Sequence, residues 1–201
     1  MKASLSASSN DFHKLIKNGS FTTRQGRALS LEQGTCEALS LLGKTKNNSG
    51  NVYIIGNGGS AAVASHIHND FCNVGGLRSM TLHEPAVLTC FTNDYGYEHA
   101  FSTLIEKMAG KNDLLIAISS SGQSKNILNA SIAMRACQGT VITLTGFAAN
   151  NPLRTTGDLN FWVNSSNYGL VEIAHLFTLH HWSDRIGAEW QDSRKVVSIV
   201  N

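Results

Sequence analysis

N-V-Y-I-I-G-N-G-G-S-A-A-V-A-S-H-I-H-N-D, Asn51 to Asp70, reads as a strand, a glycine turn and a helix. Val52, Tyr53, Ile54 and Ile55 are consecutive β-branched or aromatic residues, the pattern of a strand buried on both faces. Gly56, Gly58 and Gly59 remove Cβ atoms where the backbone must turn tightly. From Ser60 the chain is alanine-rich and free of breakers, so a helix begins there. A helix that starts after a glycine turn presents unpaired N–H groups and its positive dipole end to that turn, which suits an anion and phosphate above all. The same helix carries His66, His68 and Asp70. His66 and Asp70 are spaced i, i+4 and share a face, where they can bind a metal, move protons or simply pair at the surface.

Outward from this stretch the alternation continues. Short strands are expected at 79–83, 114–118, 141–145 and 159–163, with helices at 86–91, 101–108, 125–137 and 170–186. Residues 3–45 read as helices interrupted at N-G-S-F-T-T, and the tail 187–201 has no clear pattern. Strands alternating with helices give an α/β fold, a parallel sheet covered on both faces, with ligands beyond the C-terminal strand ends. The glycine turn lies at such an end, and so does S-S-S-G-Q-S, Ser119 to Ser124. Four hydroxyls and a glycine opening a helix can neutralise a phosphate without a lysine.

Composition narrows the classes. The chain has 201 residues, 42% of them apolar, and a formal charge of +2. That charge is too small to imply nucleic acid or a membrane surface, and no apolar run is long enough to span a bilayer. The N-terminus lacks the apolar segment of a secretory signal. Cys36, Cys72, Cys90 and Cys137 are scattered, so buried thiols in a reducing cytoplasm are expected. G-N-G-G-S-A matches the dinucleotide fingerprint formally. The acidic residue that fingerprint needs about twenty positions on is misplaced, with Asp70 too early and Glu84 too late. A nucleotide-hydrolysing loop would need G-K-[ST], which is absent. On the last helix Glu172 and His180 lie two turns apart and about 80° around the axis. Asn93-Asp94 reads as an Asx turn, or as a group that hydrogen-bonds a polyol.

Taken in order, G-N-G-G-S at 56–60, His66, N-D-Y-G at 93–96, S-S-S-G-Q-S at 119–124 and V-E-I-A-H-L-F-T-L-H at 171–180 resemble the sugar isomerase (SIS) domain family, in particular its phosphoheptose isomerases. The resemblance implies a three-layer αβα sandwich with a five-stranded parallel, flavodoxin-like sheet and added N-terminal helices. The chain would be one SIS domain over 1–201, with N-terminal helices at 1–46, the α/β core at 50–186 and a tail at 187–201. It implies a cytoplasmic homotetramer that interconverts sedoheptulose 7-phosphate and glycero-manno-heptose 7-phosphate at the start of nucleotide-activated heptose synthesis. Asn57, Gly58, Gly59, Asn93 and Asp94 would contact the sugar, and Ser119, Ser120, Ser121 and Ser124 the phosphate. His66, Asp70, Glu172 and His180 would hold Zn²⁺, and Asp70, Glu172 and His180 would be catalytic. The family usually has Glu at the position of Asp70 and Gln at that of Glu172, so the base is Asp70 or Glu172. The alternatives are a non-catalytic SIS tetramer that binds a phosphosugar or a protein, and an isomerase of another sugar phosphate.

Overall fold

The computed structural model describes the backbone of residues 4–199 and the side chains of residues 4–188. Expectations for residues 1–3 and for 200 and 201 lie outside the described residues. Helix α1 (Leu5–Lys17) starts at Ser4, whose hydroxyl accepts from Ala7 N, and α2 (Leu31–Asn47) starts in a capping box between Ser30 and Gln33. Each cap satisfies amide groups that a helix end leaves unpaired. Then follow β3 (Asn51–Ile55), α3 (Gly59–Asn73), β4 (Arg78–Thr81), α4 (Pro85–Tyr95), α5 (Tyr97–Met108), β5 (Leu114–Ser119), α6 (Lys125–Ala136), β6 (Thr140–Thr145), a 3₁₀ turn (Pro152–Thr155), β7 (Leu159–Trp162) and α7 (Tyr168–Ile199). Between α1 and α2 lie two short strands, β1 (Ser20–Thr23) and β2 (Ala28–Leu29).

All seven strands form one sheet in the order β2-β1-β7-β6-β5-β3-β4. From β7 to β4 every pairing is parallel. Numbered among themselves, these five strands run 2-1-3-4-5, the flavodoxin-like order, with its switch point between β3 and β5. The strand ends flanking that crevice are Ile55 and Ser119, so the glycine turn and the serine loop face each other across it. Alternation along β3 sorts the two cores. Val52 and Ile54 pack with α2, α3 and α7 on one face, and Tyr53 and Ile55 pack with α5 and α6 on the other. This is the three-layer sandwich expected from the strand–helix alternation.

The structure adds two strands to the expected five. N-G-S-F-T-T is not a mere break between helices, because β1 pairs antiparallel with β7 and β2 extends the edge. Phe21 is its anchor, 1% exposed and 4.8 Å from the Phe161 ring centroid. Gly34 of α2 lies so close that a Cβ there would overlap the Phe21 ring. Asn93 and Asp94 belong to the last turn of α4 rather than to an Asx turn; the helix stops at Gly96, whose φ is +80°. The tail is helical too, since α7 runs on to Ile199. The cysteines are free thiols, but Cys36, Cys72 and Cys90 are exposed and Cys137 is partly so, contrary to the expected burial. No helix among the described residues is long and apolar enough to cross a membrane.

Candidate functional site

At the first loop the backbone shapes the crevice. Gly58 takes φ +54° at the N-cap of α3 and supplies no side-chain cap. A Cβ on Gly56 would strike the backbone of Ser60, and one on Gly59 would strike the Glu172 carboxylate. Glu172 thus reaches from α7 to the positive end of α3, a favourable position for a negative charge. The Gly56 N–H points at Nε2 of His83 at 3.4 Å, and burial lowers the pKa of that imidazole. Asn57 is held by Asn126 and Tyr97 through bonds of 2.7–2.9 Å.

The second loop folds around its own hydroxyls. Ser119 Oγ accepts from Gly122 N at 3.2 Å and donates to Ser124 Oγ at 3.3 Å, and Ser121 Oγ accepts from Gln123 N at 3.2 Å. Gly122 makes the turn possible at φ +64°. Ser124 is the N-cap of α6 but makes no side-chain capping bond. The Ser120 hydroxyl is buried and has no partner among the described residues. Together with Asn57, Ser60, Ile118, Tyr168 and Glu172, the four serines line a cavity of about 130 Å³. A buried hydroxyl without a partner, beside a helix N-terminus, is chemistry that can receive an oxyanion.

A second cluster lies farther along the same two helices. Helices α3 and α7 run side by side in the same sense, with Glu172 against Gly59 above and His180 against Asp70 below. His180 Nδ1 lies 2.8 Å from Asp70 Oδ2, His66 Nε2 lies 3.9 Å from the same oxygen, and the two imidazole centroids are 4.8 Å apart. Two nitrogens and a carboxylate oxygen within 4.8 Å of one another can hold a metal ion, and the mixed N/O set suits zinc. Glu172 is not in this group; it stands eight residues before His180 on α7, about 12 Å along the axis. Of the expected site residues, Asn57, the four serines and Glu172 therefore line one cavity, while Gly58 and Gly59 follow Asn57 in the turn and are not part of the lining. His66, Asp70 and His180 form a separate cluster. Asn93 and Asp94 are exposed at the end of α4 and bond to each other, Asn93 Nδ2 donating to Asp94 Oδ1 at 3.0 Å.

Sequence reasoning missed Ser60, Tyr168, Tyr97 and Asn126. Two signals were readable. Tyr168 is i, i+4 from Glu172, and Ser60 is the first hydroxyl after the glycine turn. Tyr97 and Asn126 carried none, because their partner Asn57 is forty or more positions away.

One more polar group on α7 is structural. His175 is fully buried, its Nε2 donates to the Thr145 carbonyl at 3.1 Å, and burial pushes its pKa down to about 4. An unfolded histidine binds its proton near pH 6.5. Between pH 6.5 and about 4 the unfolded chain therefore carries a proton that the folded one refuses. Stability from this group is complete above about pH 6.5 and falls by about 3 kcal/mol as the pH drops to 4, then levels off. Urea unfolding of the natural protein and of His175→Gln, at pH 7 and about pH 4.5, should show the slope in the former and most of it gone in the latter.

Comparison with known proteins bears on this geometry. The SIS domain family model matches residues 28–146. A phosphoheptose isomerase of Helicobacter pylori (strain ATCC 700392 / 26695) is 33% identical over 182 residues, covering 86% of this chain and 94% of that one. One from Campylobacter concisus (strain 13826) is 34% identical over 151 residues, 71% of this chain and 78% of its own. The structure of the phosphoheptose isomerase of Neisseria gonorrhoeae superposes with a TM-score of 0.77 at 26% identity, over 92% of this chain and 97% of that one.

Proposed function

The chain belongs to the SIS domain family, and from that premise we propose that it is a phosphoheptose isomerase, interconverting D-sedoheptulose 7-phosphate and D-glycero-D-manno-heptose 7-phosphate through an enediol. One observation carries the reading: an oxyanion cavity and an acid–base cluster stand at two levels of the same helix pair. His66 is seven residues beyond Gly59, about 10 Å along α3. That is the reach of a seven-carbon chain with its phosphate at one end and its carbonyl at the other.

The phosphate sits among Ser119, Ser120, Ser121 and Ser124, where the unpartnered Ser120 hydroxyl gains an acceptor. Remote binding of this kind positions the reacting carbons. Isomerisation moves a proton between C1 and C2 and needs a carboxylate at the carbons and an acid at the oxygens. Asp70 takes the carbon-bound proton, and His180, paired to it at 2.8 Å, shuttles the proton between O1 and O2. Glu172 faces the serine cavity instead, next to the glycine turn, which favours Asp70 over Glu172 as the base. Its negative charge already occupies the N-terminus of α3, so the glycine turn serves the sugar and not the phosphate. His66, Asp70 and His180 would hold Zn²⁺, with Glu172 reaching it only after a shift along α7; when bound, the ion would stabilise negative charge on the sugar oxygens.

Residues 1–201 act as one domain within a cytoplasmic homotetramer. Self-association is supported by α4, none of whose residues is buried, and by Tyr168, Ile173 and Phe177 of α7, each more than half exposed. Asn93 and Asp94, exposed and outside the lining of their own chain's cavity, then contact the sugar bound to a neighbouring copy.

The test is to incubate the protein with sedoheptulose 7-phosphate, with zinc and with chelator, and to follow the sugar by NMR. New aldose signals are expected, weakened by chelator and restored by zinc. Binding with no aldose signal in any condition would replace this reading with a phosphosugar-binding one.

A further inference from the structure

Asn57 stands where the glycine turn meets the serine cavity, and its side chain is fixed from two directions. Its Oδ1 accepts from Tyr97 Oη at 2.7 Å and from Asn126 Nδ2 at 2.9 Å, while its Nδ2 donates to Asn126 Oδ1 at 2.9 Å. A carboxamide oxygen has two lone pairs and its nitrogen two protons. Both lone pairs are therefore used, and one N–H of Asn57 is left over.

The orientation is dictated by the network. The Ile127 N–H, in the first turn of α6, is shared between the Ser124 carbonyl at 3.1 Å and Asn126 Oδ1 at 3.0 Å, and an oxygen rather than an amine of Asn126 suits that position. Asn126, only 3% exposed, then has to turn its amine toward Asn57, and the facing atom of Asn57 has to be its oxygen. Tyr97 completes the arrangement by donating to that oxygen. Flipping one carboxamide alone would set amine against amine, and flipping both would turn the Asn126 amine toward the Ile127 N–H and the Asn57 amine toward the Tyr97 hydroxyl.

We infer that Tyr97 and Asn126 are positioning residues that lock the Asn57 carboxamide, so that its one free N–H is presented to a hydroxyl or carbonyl oxygen of the sugar. The lock joins three elements: the glycine turn before α3, the first residue of α5 and the first turn of α6. Tyr97 and Asn126 line the open cleft that continues outward from Asn57 and Ser124, so the presented N–H lies where a ligand enters. The inference rests on reading the serine cavity as the sugar-phosphate site, and it adds how the donor next to that cavity is aimed.

A double-mutant cycle tests it, using Tyr97→Phe, Asn57→Ala and the two combined. kcat and KM for sedoheptulose 7-phosphate are measured, together with the Kd of the same sugar and of inorganic phosphate by calorimetry. Because Tyr97 acts through Asn57, Tyr97→Phe is expected to lower kcat/KM about tenfold, mainly through KM, in the natural background and less than twofold in the Asn57→Ala background. Inorganic phosphate, held in the serine cavity that Tyr97 does not line, should bind the natural protein and Tyr97→Phe within twofold. Equal losses in both backgrounds, no loss in the natural one, or a parallel loss of phosphate binding would each overturn the inference. Asn57→Ser replaces Asn57→Ala should the latter not fold. If the natural protein binds the sugar without turning it over, the isomerase reading fails while the same cycle in Kd still decides the lock. If it binds no sugar, both fall.

Discussion

Replacing His180 by alanine is expected to lower kcat for sedoheptulose 7-phosphate about a thousandfold, close to 4 kcal/mol of barrier, while the sugar still binds. His180 Nδ1 is 2.8 Å from Asp70 Oδ2, so the substitution removes the oxygen-directed acid and leaves the carboxylate without its nearest partner. The serine cavity lies at the other level of α7, about 12 Å from His180. Calorimetric binding of the sugar phosphate should change by no more than a few fold. The His180 side chain is 38% exposed, so the fold should melt within a few degrees of the natural protein. Loss of binding in step with loss of rate would mean that His180 holds the substrate and does not move protons. Undiminished turnover would remove it from the chemistry altogether.

The fold was legible because its decisive segments are local. A strand, a glycine turn and a helix occupy twenty consecutive residues, and Leu114 to Ser119 followed by the serine loop repeats the device with every strand residue buried. The edge hairpin was not legible. Of the four residues in β1 only Phe21 is buried, and the strand exists because Phe161, well over a hundred positions later, gives that ring something to pack on. The site shows the same division. The serines and the pair His66 and Asp70 follow from spacing within one loop or one helix, whereas Asn57 came only from the motif resemblance. That His180 would meet Asp70 while Glu172 would meet Gly59 depends on α3 and α7 lying side by side in the same sense, which no spacing within either helix contains. Asn93 and Asp94 read as an Asx turn or a polyol-binding pair, and a single chain neither forms that turn nor places them in the lining of the cavity.

Gly122→Ala is expected to abolish the phosphate cradle and to destabilise the fold by about 3 kcal/mol. Gly122 sits at φ +64°, where an alanine is strained by about 1–2 kcal/mol. Its new Cβ would also run into the Asn151 side chain. Asn151 cannot step aside easily. It is 1% exposed, its Nδ2 donates to the carbonyls of Gly146 and Ala148 at 3.2 and 2.9 Å, and its Oδ1 accepts from Arg154 N at 3.0 Å. The Gly122 carbonyl meanwhile accepts from Leu153 N at 3.1 Å, which ties the loop to the same turn. The collision must therefore be relieved on the serine side, by moving Ser121 and Gly122 and breaking the bond from Gly122 N to Ser119 Oγ. Gly26 separates the two contributions, because its φ is +80° in the edge hairpin and nothing lies within 4 Å of a Cβ placed there. Gly26→Ala should show the backbone strain alone, with a melting point lower by a few degrees and phosphate binding untouched. Gly122→Ala should lower the melting point by roughly 6–12 °C and weaken inorganic phosphate at least a hundredfold. Phosphate affinity equal in the two variants would mean that the serine loop is a structural turn and that the anion binds elsewhere. A gap of that size between them would tie the affinity to the geometry that Gly122 permits, since the two substitutions add the same methyl group at the same kind of backbone angle.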